Sequence, residues 1–135
     1  MKPQPILSSP TPDRIKWVLR IAVFGTFLGH GVFALGVKPD WIPYLTTVGF
    51  SVEMAKQLMP VIGSIDLIVA FLALARPFRV VFLYAFIWAF LTAAIRPLSG
   101  LPIWDFVERA ANWSAPLVYL MLVGFPRSFR EWFRI

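Results

Sequence analysis

Four apolar runs divide the chain, and charged residues or prolines separate them. A helix needs about 20 apolar residues to cross the bilayer core, and terminal lysines and arginines extend a shorter run by reaching towards lipid phosphates. The runs therefore predict four spanning helices, whose apolar parts cover 21–37, 57–75, 80–95 and a fourth segment from IWDFVERAANW through Pro116 to Gly124.

The boundaries of these helices carry recognisable signals. Thr11-Pro12-Asp13 supplies a capping threonine, a proline for the first helical position and an acid for the first turn. Pro39 and Pro43 break the chain after the first span, and the linker WIPYLTTVGF carries ring types that favour the membrane surface. These signals predict a disordered arm at 1–12, a four-helix transmembrane domain at 13–126 and a basic amphipathic tail at 127–135.

Composition supports a membrane protein and excludes several kinds of site. The 135 residues are 59% hydrophobic with a mean hydropathy of +0.72, far above what a soluble core of this size requires. The absence of cysteine excludes disulfides, thiolate metal sites and dithiol chemistry by this chain. We predict no metal site, and haem is disfavoured because it would need His30 together with Met54 or Met59.

The net charge is +6, and the lysines and arginines lie beside the apolar runs. Their positions indicate membrane topology and lipid-phosphate contacts rather than nucleic-acid binding. With the N-terminus inside, the segments on that side hold nine of the 13 lysines and arginines. We therefore predict an all-α integral membrane four-helix bundle with both termini cytoplasmic. The nine are Lys2, Arg14, Lys16, Arg20, Arg76, Arg79, Arg127, Arg130 and Arg134.

Two titratable residues fall within predicted spans, where each costs about 2.5 to 3.5 kcal/mol on insertion scales. His30 lies seven residues before Val37, and Asp66 lies six residues after Pro60, so both should sit roughly 10 Å below the outer boundary. Small residues share the helical face of Asp66, and His30 lies beside a Gly25-x-x-x-Gly29 motif, so both should approach a helix contact. We expect the two side chains to be close enough to pair.

Further polar residues gather at the same outer end. Trp88, Thr92 and Arg96 share one face of the third span, and Trp88 lies too deep for an interfacial aromatic belt, which favours a pocket wall. These residues predict a ligand site with His30 and Asp66 as proton-transfer groups. The alternative is structural, with one interhelical hydrogen bond and interfacial arginines. The other candidate binding residues are Trp104, Glu108, Arg109 and Asn112.

Three segments together resemble the DoxX-like family of small bacterial four-helix membrane proteins: GTFLGHGVFALG, GSIDLIVAFLALARPFR and ERAANWSAPLVYLMLVG. The resemblance spans residues 15 to 125, and this chain has Asp66 where the family usually has glutamate. It implies a multi-pass protein of the bacterial inner membrane, with a link to quinones and a redox system.

The leading hypothesis is a quinone-binding or small-molecule-binding module of an oxidoreductase system, and whether the chain itself catalyses a reaction is left open. Its expected partners are the bilayer, a redox protein that supplies electrons, and a second copy of the chain. The alternatives are a transporter or permease component and a membrane scaffold or assembly factor for a partner complex.

Overall fold

The computed structural model describes residues 11–135, and this part of the chain is helical and contains no strand. Three helices are long and apolar enough to cross a membrane: α1, α3 and α4. Shorter helices connect them or follow them, and 3₁₀ turns lie at Pro39–Trp41 and Phe129–Phe133. The α-helices are α1 (Thr11–Leu35), α2 (Ile42–Thr47), α3 (Val52–Ala75), α4 (Arg79–Leu98), α5 (Trp104–Val107) and α6 (Ala110–Val123).

Local chemistry explains where the long helices begin and end. The Ser51 hydroxyl caps α3 by accepting the Met54 N–H at 3.1 Å. Arg76 to Phe78 reverse the chain between α3 and α4, within the gap between the predicted apolar runs 57–75 and 80–95. The predicted arm at 1–12 lies outside the described residues except for Thr11 and Pro12, which belong to α1. In the predicted tail, residues 129–133 form a 3₁₀ turn.

The fourth predicted helix is interrupted, and this differs from the sequence-based expectation. Glu108 and Arg109 separate α5 from α6, and Arg109 leaves the helical region at φ −96° and ψ 11°. The 14 residues of α6 extend about 21 Å. This helix therefore falls short of the roughly 30 Å hydrocarbon core by itself.

Close contact between α1 and α3 occurs at two glycines. A Cβ added to Gly63 would lie 2.7 Å from the Leu35 nitrogen and 2.8 Å from the Gly31 oxygen, so only glycine fits without displacement. The sequence predicted a close helix contact at Gly25 and Gly29. This prediction was wrong, because a Cβ at either residue would meet nothing within 4 Å. The packing face of α1 thus runs through Gly31.

The remaining helices complete an apolar core on one side of this contact. α6 packs against both α4 and α1, whereas α3 and α4 touch each other little. Phe27, Phe82 and Leu120 are buried at the centre of the core, and Phe82 stacks on Tyr119 with ring centroids 3.7 Å apart. The core lies towards the end where α1 and α4 begin, which leaves the opposite end of the α3–α4 interface open.

The close contact at Gly63 predicts that adding a methyl group at this glycine destabilises the protein, whereas adding one at Gly29 does not. Gly63→Ala should lower the stability of the folded protein by about 1 to 3 kcal/mol, because its methyl group would press on the α1 backbone. Gly29→Ala is the matched control, since the added methyl group meets open space and alanine favours the helix. Thermal unfolding in detergent checks this, and equal midpoints for the two variants would contradict the close approach.

Candidate functional site

A cavity of about 590 Å³ occupies the gap between α3 and α4 near the end where α4 stops. α1 contributes one wall, and α2 with the residues beside it covers another. Most of the lining is apolar, with a few polar side chains among it. The polar and aromatic lining residues are His30, Trp41, Tyr44, Phe50, Asp66, Trp88, Thr92 and Arg96.

Asp66 is the most deeply buried polar group in this cavity. Its residue is 2% exposed, and its Oδ1 has no hydrogen-bond partner among the described residues. Trp88 lines the same cavity as this carboxyl group. A buried carboxyl oxygen without a partner has lost its hydration without replacement, so the site has an unused acceptor.

Arg96 places a second charged group in the same cavity. It is 7% exposed, and its Nη1 donates to the Tyr44 hydroxyl at 2.7 Å, while its guanidinium carbon lies 5.0 Å from the Tyr44 ring centre. In the described part of the chain its Nε is buried without a partner. Tyr44 therefore fixes the guanidinium, while the buried Nε–H is left without an acceptor.

His30 lies on the α1 wall of the cavity beside Trp41. Their rings meet edge to face, with centroids 5.5 Å apart and an interplanar angle of 90°. Among residues 11–135, the structure shows neither an ion pair nor a hydrogen bond between His30 and Asp66. The expected direct pair is therefore not formed, although both residues line one cavity.

The short helix α2 explains how Tyr44 reaches Arg96. Pro43 lies in the first turn of α2, and the Thr47 hydroxyl donates to the Ser99 hydroxyl beyond the end of α4 at 3.0 Å. α2 contacts both α3 and α4 and so covers the cavity. Sequence reasoning placed this linker along the membrane surface and missed Tyr44, because an interfacial tyrosine and a cavity-lining tyrosine have the same local pattern.

Of the other predicted binding residues, Thr92 lies in the cavity lining, whereas the four on or beside α5 and α6 lie outside it. Thr92 lies in the lining, but its hydroxyl donates to the Ala89 carbonyl at 3.1 Å within its own helix. Trp104 is 70% exposed, and Glu108 forms an ion pair with Arg109, which also donates to the Asp105 carbonyl at 2.7 Å. Asn112 also lies outside the lining. Binding roles for these four residues stay predictions.

This arrangement suits an organic ligand better than a metal ion. Within residues 11–135, no three histidine, aspartate or glutamate side chains converge as a metal site requires. Instead the cavity is lined by the carboxyl group of Asp66, the guanidinium group of Arg96 and several aromatic side chains. Such a site can hold an apolar body and orient it by a small number of polar groups.

Comparisons with protein-family models, curated proteins and solved structures found no match to this chain. The resemblance to the DoxX-like family therefore rests on the three short motifs and their order. The cavity and its residues carry the functional argument.

The hydrogen bond between Tyr44 and Arg96 should contribute measurably to the stability of the folded protein. Tyr44→Phe should lower stability by about 1 to 3 kcal/mol, because it leaves a buried guanidinium N–H without its acceptor. Tyr84→Phe is the control, since it removes a hydroxyl for which the structure gives no such bond within residues 11–135. Thermal unfolding of both variants in the same detergent checks this, and a neutral Tyr44→Phe would contradict a structural role for the bond.

Proposed function

We propose that this protein is a membrane protein that binds a small amphipathic molecule in the cavity between α3 and α4. One observation carries the proposal: Asp66 and Arg96 are both more than nine-tenths buried, both line the same apolar cavity, and each has a buried polar atom without a partner in the described part of the chain. A ligand with one donor and one acceptor would satisfy both atoms.

Energetics favour a ligand over a purely structural role for this pair. Charged groups within a membrane are costly, and a stabilising pair would be expected to make direct contact. Asp66 and Arg96 make no ion pair within the described part of the chain. The cost of burying them is therefore not recovered by their mutual contact, whereas a ligand between them would recover part of it.

The size and lining of the cavity support a ring-bearing, lipid-soluble ligand, and a quinone is the first candidate. About 590 Å³ lies within the range of roughly 300 to 1,000 Å³ for small-molecule sites. Trp88 offers a ring surface, Arg96 could donate to a quinone oxygen, and Asp66 and His30 could exchange protons with it. Quinone reduction requires two electrons and two protons, and we assign the electrons to a partner redox protein.

The charge distribution supports a topology for this proposal. We infer four spans in a bacterial inner membrane with both termini cytoplasmic, where α5 and α6 together form the fourth span. The end of the molecule at which α1 and α4 begin, here called the basic end, carries most cations and should be cytoplasmic. The cavity then faces the outer leaflet.

If the cavity binds a ligand, the purified protein should carry a bound molecule whose retention depends on the buried polar side chains. Wild type purified in mild detergent should retain a lipid-soluble molecule, detected by native mass spectrometry and by absorption after solvent extraction. Asp66→Asn and His30→Ala should lose most of it, because the first removes the charged acceptor and the second opens the α1 wall.

Glu53→Gln is the matched control, because it removes an exposed carboxylate at the same end. It should retain the ligand as wild type does. Phospholipid alone in every sample, or equal retention by Asp66→Asn, would count against a ligand site and favour transport or scaffolding.

Topology is directly testable because the chain has no cysteine, so single cysteines give unambiguous labels. Ser99→Cys should react with a membrane-impermeant maleimide added outside intact cells, since it lies at the cavity end of α4. Ser128→Cys should react only after the cells are opened. Labelling of Ser128→Cys in intact cells would contradict cytoplasmic termini.

A further inference from the structure

A second cleft, of about 500 Å³, lies at the basic end of the molecule, across the protein from the cavity. Lys16 and Arg20 of α1 and Arg79 of α4 contribute three cations to it, and Tyr119 of α6 and Trp17 of α1 contribute aromatic rings. The one acid in the lining, Asp13, is 80% exposed and lies 3.8 Å from Lys16. The cleft is therefore net positive.

Backbone carbonyls hold the two arginines in place. Arg20 Nε donates to the Ala73 carbonyl at 3.0 Å, and its Nη2 donates to the Leu74 carbonyl. Arg79 Nη2 donates to the Val123 carbonyl at 3.0 Å. These bonds satisfy the last carbonyls of α3 and α6, so the guanidinium groups are positioned before any ligand arrives.

Donors remain after these bonds are counted. A guanidinium has five N–H groups, and the structure commits only some of them. Arg79 Nε is buried without a partner in the described part of the chain, and the Tyr119 phenol lies within electrostatic range of Arg20 and Arg79. Lys16 adds an ammonium group to the cleft lining, and its side chain is 34% exposed. The unused groups are donors and cations, which is the chemistry that recognises phosphate.

We propose that this cleft binds the phosphate group of an anionic phospholipid. The location favours a lipid over free phosphate, because the cleft lies at the ends of the long apolar helices and apolar side chains such as Leu122 and Ile135 share its lining with the cations. Trp17 is 52% exposed beside the cations, and its ring lies 3.8 Å from the Arg20 guanidinium carbon. A ring at this level fits the interface between headgroup and acyl chain.

The test measures retention of lipid by the purified full chain, using phosphatidylglycerol and phosphatidylcholine as probes. Native mass spectrometry should show phosphatidylglycerol retained in preference to phosphatidylcholine, and phosphatidylglycerol should raise the thermal midpoint. Lys16→Gln should weaken retention about five-fold, since it removes one cation from the headgroup level. Lys16 makes no helix-capping bond among the described contacts, so this variant should fold.

Arg134→Gln is the matched control, because it removes an exposed cation at the same end outside the cleft. It should retain phosphatidylglycerol as wild type does. Equal loss in Arg134→Gln and Lys16→Gln would overturn the site in favour of diffuse attraction, and unchanged retention in Lys16→Gln would overturn it directly. Displacement of the lipid by millimolar inorganic phosphate would overturn the lipid assignment in favour of a free anion.

Discussion

The approach of α1 to α3 at Gly31 and Gly63 sets the arrangement of the whole molecule. Because neither residue has a side chain, the Gly31 carbonyl and the Leu35 amide lie where the Gly63 side chain would be. Because α1 and α3 pack this closely, the positions of their side chains along the two helix axes are fixed relative to each other. His30 and Asp66, one on each of these helices, line the same cavity without bonding to each other.

The close contact of α3 with α1 is accompanied by a gap between α3 and α4. α3 packs so extensively on α1 that its contact with α4 is slight, and α4 packs instead on α6. Small residues fill the core half of the gap, where Ala70, Ala73 and Ala85 are fully buried. Towards the other end the gap widens into the cavity, and α2 folds over it. The cavity is thus a consequence of helix pairing.

Sequence patterns predicted much of this because the membrane imposes simple rules. Apolar length and helix-end chemistry predicted α1, α3 and α4 closely, since each rule concerns residues that are neighbours along the chain. The placement of Asp66, Trp88 and Arg96 towards one end followed from helical periodicity. The break at Glu108 and Arg109 did not follow, because an acid and a base in sequence fit a helix as well as a turn.

Contacts between segments that are distant along the chain could not be predicted from the sequence. Gly31 rather than Gly25 or Gly29 forms the close contact, and the choice depends on how α1 is rotated against α3, which no local pattern records. Tyr44 meets Arg96 across 52 positions for the same reason. The arginines illustrate the principle: Arg20 and Arg79 bond helix-terminal carbonyls, whereas Arg96 bonds a phenol inside a cavity. One residue type thus bonds helix-terminal carbonyls at one end and lines a cavity at the other, and only the packing of the helices distinguishes the two uses.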